Sequence, residues 1–433
     1  MNTNYPVYLL LRMVLILILM SGCSATSGIK HDLDRNLKES QAFKKGFVGL
    51  IVFDPLNNEV LFQHNAHKYF TPASNLKLLT LYSGIKLLGD RIPHLKYMVE
   101  GDSLFFTGTG DPSLLHPSLP PSPVLDFLES TTHELYLVPG TPVPPLGSGW
   151  AWDDYNWEYS AERSALPVYG NVATVTIGKN AEVFPDLFQD SLVKYTNQQD
   201  RGIFRKIRSN VFLYPAEVAP ADQRIPFLTS DRLTALILQD TLDRPVHLYQ
   251  GSRTFDFDVL ASEKNRDTIF RKMLLESDNF LAEQILLMAG SKLEDTLRTS
   301  TAIAYMQEHF LRDLPDPVIW VDGSGLSRYN LITPRSLVRI LQKLAEEVGY
   351  QEIFDLLPTG GRTGTLRNRF ISEEPFIFAK TGSLSGVHNL SGFLISRKGR
   401  ILCFSFMSNN LTATAQEIRK EMDRLLLQIR NNL

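Results

Sequence analysis

The stretch Thr71-Pro72-Ala73-Ser74-Asn75-Leu76-Lys77 opens an apolar run that continues to about Leu88. Its proline fixes a backbone angle suited to the first turn of a helix, so we expect a buried helix to begin here. A serine and a lysine three residues apart lie one above the other on a helix surface. The Lys77 amine is therefore expected to reach the Ser74 hydroxyl, which predicts a nucleophile with its own base.

The spacing Ser-x-x-Lys is weak evidence when taken alone, because chance explains most such pairs in a chain of average composition. It occurs four times here, at Ser27/Lys30, Ser74/Lys77, Ser83/Lys86 and Ser191/Lys194. Ser74 differs from the other three serines because it follows an apparent hairpin and begins a helix. A helix start leaves a hydroxyl and several backbone N–H groups free to meet a substrate.

Length and composition narrow the classes of protein that remain. The 433 residues with 43% hydrophobic content are enough for two or three domains with substantial cores. The chain has 44 Lys and Arg against 47 Asp and Glu, and its net charge is −3. It has neither a basic run nor a recognisable nucleic-acid-binding motif, so we expect no nucleic-acid partner.

The N-terminus predicts export. Residues 7–20 are apolar except for Arg12, which is short for a membrane span. Small residues then lead directly to Cys23, an arrangement that resembles the signal peptide and lipobox of bacterial lipoproteins, with Met20 where leucine is more usual. The resemblance implies a signal peptide at 1–23, lipid attachment at Cys23 and a periplasmic, membrane-anchored protein. Ordinary signal cleavage nearby is the alternative. With Cys23 acylated, Cys403 would have no disulfide partner.

The remaining patterns predict an α+β fold. Residues 24–45 are polar and charged, and we interpret them as a tether that can carry a short helix around Leu33 and Leu37. A strand pair precedes the Ser74 helix, and short strands between Pro- and Gly-rich loops predict a β-rich insert at 89–255. Helical patterns resume near residue 256, with ranges at 267–276, 280–288, 298–310 and 335–347. Strands return at the C-terminal end before a last helix. The first and last strands are expected to share one antiparallel sheet.

Two further motifs lie in the second half of the chain. Ser277-Asp278-Asn279 heads an apolar helical stretch, and Lys380-Thr381-Gly382-Ser383 ends a strand-like run. A helix cap and a strand-end turn would explain them separately, and chance produces each in about one of ten chains of this length. Their occurrence together with Ser74-x-x-Lys77, in this order, is a strong joint signal.

The three motifs resemble those of the serine penicillin-recognising enzymes. The 200-residue interval from Lys77 to Ser277, with the runs at 108–113 and 322–327, is similar to the penicillin-binding-protein-4 type of D-alanyl-D-alanine carboxypeptidase/endopeptidase. This resemblance implies a β-lactamase/transpeptidase-like domain, with an antiparallel sheet flanked by helices, from residues 46–88 and 256–433. It also implies peptidoglycan stem peptides as substrate, β-lactams as covalent inhibitors, and neither cofactor nor metal.

The resemblance assigns Ser74 the attack on the carbonyl of the penultimate D-alanine. Lys77 must then be neutral, and burial next to a second cation, Lys380, would lower its pKa from the ordinary ~10.4. The resemblance further implies Ser277 as proton relay to the leaving amine and Asn279 as the residue that holds Lys77 and the substrate amide. Lys380 and Thr381 would bind the terminal carboxylate. Gly382 and Ser383 would lie beside the oxyanion, which is expected between the N–H groups of Ser74 and Ser383.

Specificity residues also follow from the resemblance. Asp154 is the position expected to contact the amine of the stem peptide's diamino acid, with Tyr159 as an apolar neighbour. Arg328 is expected to make a further polar contact. An acid in a turn is the simpler explanation for Asp154.

Two alternative functions keep the same fold. A β-lactamase would need a device that positions water for rapid deacylation, and the insert has no recognisable Glu-x-x-x-Asn arrangement. A non-catalytic wall-binding lipoprotein would have no use for two matched lysines.

Overall fold

A computed structural model describes residue 28 and residues 30–196, 202–217, 219–263 and 266–433. The helices are α1 (30–39), α2 (Lys77–Leu88), α3 (Pro123–Ser130), α4 (Asp231–Leu242), α5 (Arg266–Leu275), α6 (Asn279–Ser291), α7 (Thr299–His309), α8 (Pro334–Leu356) and α9 (Ala415–Asn432). The strands are β1 (Phe47–Asp54), β2 (Glu59–His64), β3 (Ile92–Glu100), β4 (Ser103–Gly108), β5 (Glu134–Leu137), β6 (Val172–Ile177), β7 (Ala181–Phe184), β8 (Leu192–Tyr195), β9 (Phe204–Arg205), β10 (Phe212–Pro215), β11 (Ala221–Pro226), β12 (Val246–Leu248), β13 (Asp258–Ser262), β14 (Ile377–Leu384), β15 (Val387–Ile395) and β16 (Ile401–Asn409).

We call the described residues outside 92–262 the main domain. A five-stranded antiparallel sheet forms its centre, in the order β14-β15-β16-β1-β2. The first strand pairs with the last one, Val48 lying opposite Ser408. The α+β prediction, with N- and C-terminal strands in one sheet, is therefore confirmed. The strand alternation of β1 sends Ile51 to one face of the sheet and its neighbours Leu50 and Val52 to the other.

Helices cover both faces of this sheet. Ile51 belongs to a core that it shares with α2, α5, α6, α7 and α8, and the opposite core is closed by α1 and α9. The apolar residues of α2 thus point into the larger core, as the run after Ser74 predicts. None of the described helices combines the length and apolar character needed to cross a membrane.

The short helix expected around Leu33 and Leu37 is present as α1, but it is packed against the core, which differs from a free tether at 24–45. Leu33 and Leu37 lie four residues apart on α1 and are buried in the core beneath α9, and Phe43 is buried with them. Two apolar residues on one helix face are enough to dock a short helix. Residues 24–27, and Cys23 before them, lie outside the described residues.

The insert, for which we use residues 92–262, contains a mixed sheet in the order β12-β5-β4-β3-β13 and two three-stranded sheets. It also contains the helices α3 and α4. The strand β13 lies beyond the predicted limit of 255 because it pairs with β3 and completes the insert's larger sheet. Such pairing between distant segments carries no local sequence signal.

Candidate active site

Ser74 lies in a tight turn that leads directly into α2. A 3₁₀ turn spans Ala73–Leu76, and Ala73 has a φ of +48°, in the left-handed region that L-residues seldom occupy. Gly325 packs against this turn, and a Cβ there would lie only 2.0 Å from the carbonyl oxygen of Ala73. The turn therefore keeps its shape only while residue 325 has no side chain.

Asn75 joins this turn to strand β14. Its Nδ2 donates a hydrogen bond to the carbonyl of Lys380 at 2.6 Å, and its Oδ1 accepts one from the hydroxyl of Ser391 at 2.9 Å. Pro72, which comes directly before the turn, accepts a hydrogen bond on its carbonyl from Asn389 Nδ2 at 2.8 Å. Buried amides fully used in this way fix the distance between turn and strand.

Gly382 permits the close approach of β14 to the serine. A Cβ at this position would lie 2.6 Å from the Pro72 carbonyl oxygen and 3.2 Å from the backbone nitrogen of Ser74. The backbone of β14 consequently runs beside the N–H of Ser74. A carbonyl placed there would meet N–H groups from two separate elements, which is the geometry of an oxyanion hole.

The Lys77 amine is completely buried and has three acceptors. Its Nζ donates to Ser74 Oγ at 2.9 Å, to Asn279 Oδ1 at 2.6 Å and to the carbonyl of Ser324 at 2.7 Å. All three acceptors are neutral groups. Among the described residues, the amine is therefore held in one position by neutral groups, with no carboxylate in direct contact.

Burial lowers the pKa of Lys77 to about 8, although the nearby carboxylates of Asp278, Asp322 and Glu283 act in the opposite direction. The pKa of Lys380 is also lowered well below its ordinary value, by burial first and by the charge of Lys77 second. Burial therefore accounts for the lowered pKa of Lys77, whereas the charge of Lys77 adds to the effect of burial on the pKa of Lys380.

The second and third motifs meet through Lys380. Its Nζ donates to Ser277 Oγ at 2.8 Å and to the carbonyl of Thr381 at 2.9 Å. Ser277 has a φ of +59°, a strained backbone that directs its hydroxyl to this amine at the start of α6. The hydroxyl of Thr381 donates to Thr365 at 2.8 Å. Hydrogen bonds thus connect Ser74 with Lys77 and Asn279, and Ser277 with Lys380.

The predicted specificity residues lie at the border of this cluster. Tyr159 donates its hydroxyl proton to Asp154 at 2.7 Å, and its backbone carbonyl accepts a hydrogen bond from Asn279 Nδ2 at 2.9 Å. This contact joins the insert to the cluster. Arg328 is exposed, and within the described part of the chain it takes no part in the cluster's hydrogen bonds. On strand β14, Ser383 contacts His388 through its hydroxyl at 3.0 Å.

Two carboxylates shape the loop around Ser324. The sequence marks Asp322 only as the first residue of the run 322–327, and it does not single out Glu283. Asp322 accepts hydrogen bonds from the N–H groups of Gly325 at 2.9 Å and Ser327 at 2.7 Å. Glu283 accepts from the N–H of Ser324 at 2.8 Å. A glutamate inside the otherwise apolar stretch of α6 was the available signal, because an unpartnered buried charge is too costly to retain.

A cavity of about 290 Å³ lies between α6 and the insert, next to residues 277–279. Charged and aromatic side chains line it. They include Glu158, Tyr159, Arg224, Glu276 and His116. The space is large enough for a side chain or a short part of a peptide.

Comparison with known proteins assigns the chain to a family. Residues 29–203 and 252–429 match the D-Ala-D-Ala carboxypeptidase 3 (S13) family. The chain is 24% identical to a D-alanyl-D-alanine carboxypeptidase, DacB, of Haemophilus influenzae over 89% of this chain and 90% of the relative. It is 25% identical to a D-alanyl-D-alanine carboxypeptidase of Actinomadura sp. over 91% and 83%, and 23% identical to penicillin-sensitive carboxypeptidase A of Dictyostelium discoideum over 87% and 85%.

Two solved structures have the same fold as this chain. The crystal structure of penicillin binding protein 4 from Haemophilus influenzae superposes with a TM-score of 0.72 at 21% identity, covering 92% of this chain and 97% of that one. The same protein complexed with a β-lactam gives 0.68 at 20% identity, with the same coverage. Since the family match extends over most of the sequence, on both sides of an unmatched segment at 204–251, the chain belongs to the D-Ala-D-Ala carboxypeptidase 3 (S13) family of peptidases.

Proposed function

We propose that this protein is a serine D-alanyl-D-alanine carboxypeptidase that cleaves peptidoglycan stem peptides through an acyl-enzyme on Ser74. The observation that carries the proposal is the buried Lys77 amine, 2.9 Å from the Ser74 hydroxyl and surrounded by neutral acceptors. An amine in this position can take the hydroxyl proton once it has lost its own. Family membership and the names of the relatives support the same reaction.

In the acylation step, Ser74 Oγ forms a bond with the carbonyl carbon of the penultimate D-alanine and its proton passes to Lys77. The developing oxyanion is stabilised by the N–H groups of Ser74 and Ser383. The peptide C–N bond then breaks, and the leaving amine of terminal D-alanine receives, by way of Ser277, the proton that Lys77 took from Ser74. Asn279 holds Lys77 and the substrate amide during this step. Water subsequently hydrolyses the ester and restores the hydroxyl.

Lys380 and Thr381 bind the terminal carboxylate of the substrate. The pKa of the buried Lys380 amine is depressed, and an anion that binds beside it stabilises the charged form and raises this pKa again. Substrate binding would then keep the charge on Lys380 and favour the neutral form of Lys77. Lys380 thus keeps its proton to bind the carboxylate, and Lys77 is without its proton and can act as the base.

Specificity for the stem peptide is assigned to the border between the insert and α6. Asp154 accepts the Tyr159 hydroxyl on Oδ1, and its Oδ2, for which the described residues provide no hydrogen bond, would attract the amine of a diamino acid. Arg328 is exposed on the loop after Ser327 and would make a polar contact with the same peptide.

Covalent labelling tests the nucleophile. Fluorescent penicillin should label the purified protein, and Ser74→Ala should abolish the label. Ser83→Ala is a matched control, because Ser83 and Lys86 share the same spacing on α2 while the Ser83 hydroxyl donates to the carbonyl of Leu79. A label that persists in Ser74→Ala would refute the role of Ser74.

Substrate assays separate the remaining functions. Release of D-alanine from a muropeptide pentapeptide supports the carboxypeptidase, and cleavage of a cross-linked muropeptide dimer adds an endopeptidase activity. Rapid turnover of penicillin would instead indicate a β-lactamase. Stable labelling without cleavage of either muropeptide would indicate a non-catalytic wall-binding protein.

For localisation we propose an exported, periplasmic lipoprotein with its lipid on Cys23. The support is the sequence around this cysteine, which resembles a lipobox. Mass spectrometry of the mature N-terminus would detect the acylated cysteine. Cys23→Ala should move the protein from the membrane fraction to the soluble fraction, and unchanged fractionation would exclude the lipid anchor.

A further inference from the structure

One segment of the insert, residues 159–164, lies against the first turns of α6. The carbonyl of Tyr159 accepts the hydrogen bond from Asn279, and the guanidinium of Arg163 contacts the carboxylate of Glu283 at 3.3 Å. Asn279 and Glu283 are four residues apart and therefore share one face of the helix. The segment thus contacts that face at two levels.

A third contact extends the same border. The N–H of Ser164 donates to Gln284 Oε1 at 3.3 Å, and Gln284 Nε2 donates back to the carbonyl of Ser164 at 2.9 Å. Reciprocal hydrogen bonds of this kind fix the position of the segment along the helix axis.

The carboxylate of Glu283 connects this border to the catalytic base. It is completely buried, and its Oε1 accepts hydrogen bonds from the N–H groups of Gly323 at 2.9 Å and Ser324 at 2.8 Å. The carbonyl of the same Ser324 accepts the hydrogen bond from Lys77 at 2.7 Å. Displacement of Glu283 would therefore move one of the three acceptors of Lys77.

Arg163 is itself held by the insert. Only 6% of its side chain is exposed, its Nε donates to the carbonyl of Pro144 at 3.0 Å, and its Nη2 donates to the carbonyl of Leu146 at 2.8 Å. A guanidinium with its donors committed in this way has one orientation. It presents the remaining Nη1 to Glu283.

We propose that Arg163 and Glu283 are positioning residues for the acylation reaction, through which the insert fixes the loop that holds Lys77. This inference rests on the proposed function, since it assumes that Lys77 is the base. It assigns the insert a part in the chemical step, in addition to any contact with substrate.

The charges around Lys77 give the proposal a measurable consequence. Asp278 precedes α6, Glu283 lies on it, Asp322 lies in the loop beyond, and Lys380 lies on β14. The three carboxylates raise the pKa of Lys77, against the larger effect of burial. Neutralising any one of them is therefore expected to let Lys77 lose its proton at a lower pH.

Glu283 is the carboxylate whose charge depends on the insert. Burial and the charge of Asp322 raise its pKa to about 7, and Arg163 acts against this rise. Removal of Arg163 would raise the pKa of Glu283 further and leave it neutral near pH 7. The negative charge near Lys77 would then be lost without a change in Glu283 itself.

The test measures the rate of acylation by fluorescent penicillin between pH 5.5 and 9.5. The rate is expected to rise with pH, and we call this rising part of the rate–pH curve the rising limb. In both Arg163→Met and Glu283→Gln, we expect the rising limb to move to lower pH by about 0.5 to 1 unit. Arg163→Met should also lose about tenfold of the plateau rate, because the loop is less well held. Glu283→Gln should lose less, since an amide oxygen can still accept from Gly323 and Ser324.

Two controls separate positioning from simple destabilisation. Arg163→Lys keeps the charge and should keep the limb near its wild-type position. Lys96→Met breaks another ion pair between the insert and the main domain, with Asp295, and should leave the limb unchanged. Thermal unfolding of each variant shows whether it is folded.

A limb that stays at its wild-type position in both Arg163→Met and folded Glu283→Gln would overturn the inference. An equal shift in Lys96→Met would also overturn it. Failure of the wild-type protein to become labelled would refute the proposed function, and this inference with it.

Discussion

Lys77 in the main domain and Arg205 in the insert are both buried cations, with exposed fractions of 0% and 2%. Arg205 donates from Nε to the carbonyl of Pro226 at 2.7 Å and from Nη1 to the carbonyl of Lys206 at 3.0 Å. Lys77 also has neutral acceptors, but one of them is the hydroxyl of Ser74. The two environments are alike in burial, and in the part of the chain that the structure describes neither cation contacts a carboxylate directly.

The two side chains respond differently to that environment. Burial lowers the pKa of both, yet a guanidinium starts so high that it stays charged, whereas the amine of Lys77 reaches a pKa of about 8. The same desolvation therefore leaves a permanent cation in the insert and, in the main domain, an amine that can lose its proton near pH 8. Residue type decides which of the two results.

Exchange of the buried amine for a guanidinium should have the largest effect. Lys77→Arg keeps a charged donor next to Ser74 but removes the group that can release its proton, so acylation by penicillin should slow by about 10³-fold. Stopped-flow labelling measures this rate. A variant that retains a tenth of the wild-type rate would show that Lys77 is not the base.

The reciprocal change in the insert should affect stability instead. Arg205→Met leaves several carbonyl groups without donors, and we expect the free energy of unfolding to fall by about 3 kcal/mol. Urea denaturation measures this loss, and the fraction that remains folded should be acylated at the wild-type rate. A slower acylation of that fraction would show that the buried arginine also influences the catalytic site.

The pH dependence of the wild-type protein sharpens the contrast. Because the pKa of Lys77 is lowered to about 8, the neutral form grows with pH up to that value. The acylation rate should rise by about tenfold per pH unit below pH 8 and level off above it. Arg205 should contribute nothing to this profile. A rate that is constant from pH 6 to 9 would contradict the titration of Lys77.

The smallest effect is expected at the exposed border of the insert. Asp154→Asn should raise KM about fivefold for a pentapeptide whose diamino acid carries a free amine, because partly exposed ion pairs contribute about 1 kcal/mol. Penicillin lacks that amine, so its acylation rate should not change. An unchanged KM for the pentapeptide would show that Asp154 does not bind the substrate amine and is only an acid in a turn.

Local patterns were sufficient for much of the fold. The apolar run after Ser74 and the patterns between residues 267 and 310 predict helices within a few residues of α2, α5, α6 and α7. The period of these helices depends on neighbours in sequence, which a single chain displays. The three motifs were also visible because each is contiguous.

Long-range contacts were not visible in the same way. The pairing of β13 with β3, the docking of α1 and the hydrogen bonds of Asn75 join residues that are far apart in sequence. Glu283 carries no motif, and only its place among apolar residues marks it. Its connection to Lys77 passes through the backbone of Ser324, so residue identities could not reveal it.

The pairing of β1 with β16 also constrains how this molecule is made. The ribosome releases β1 early and its partner about 360 residues later, so the nascent strand has an open edge for most of translation. Strand β14, which carries Lys380, joins β1 only through β15 and β16. Any chain that ends before residue 401 lacks β16 and cannot complete this sheet, so we expect such a truncated polypeptide to be inactive and open to proteolysis.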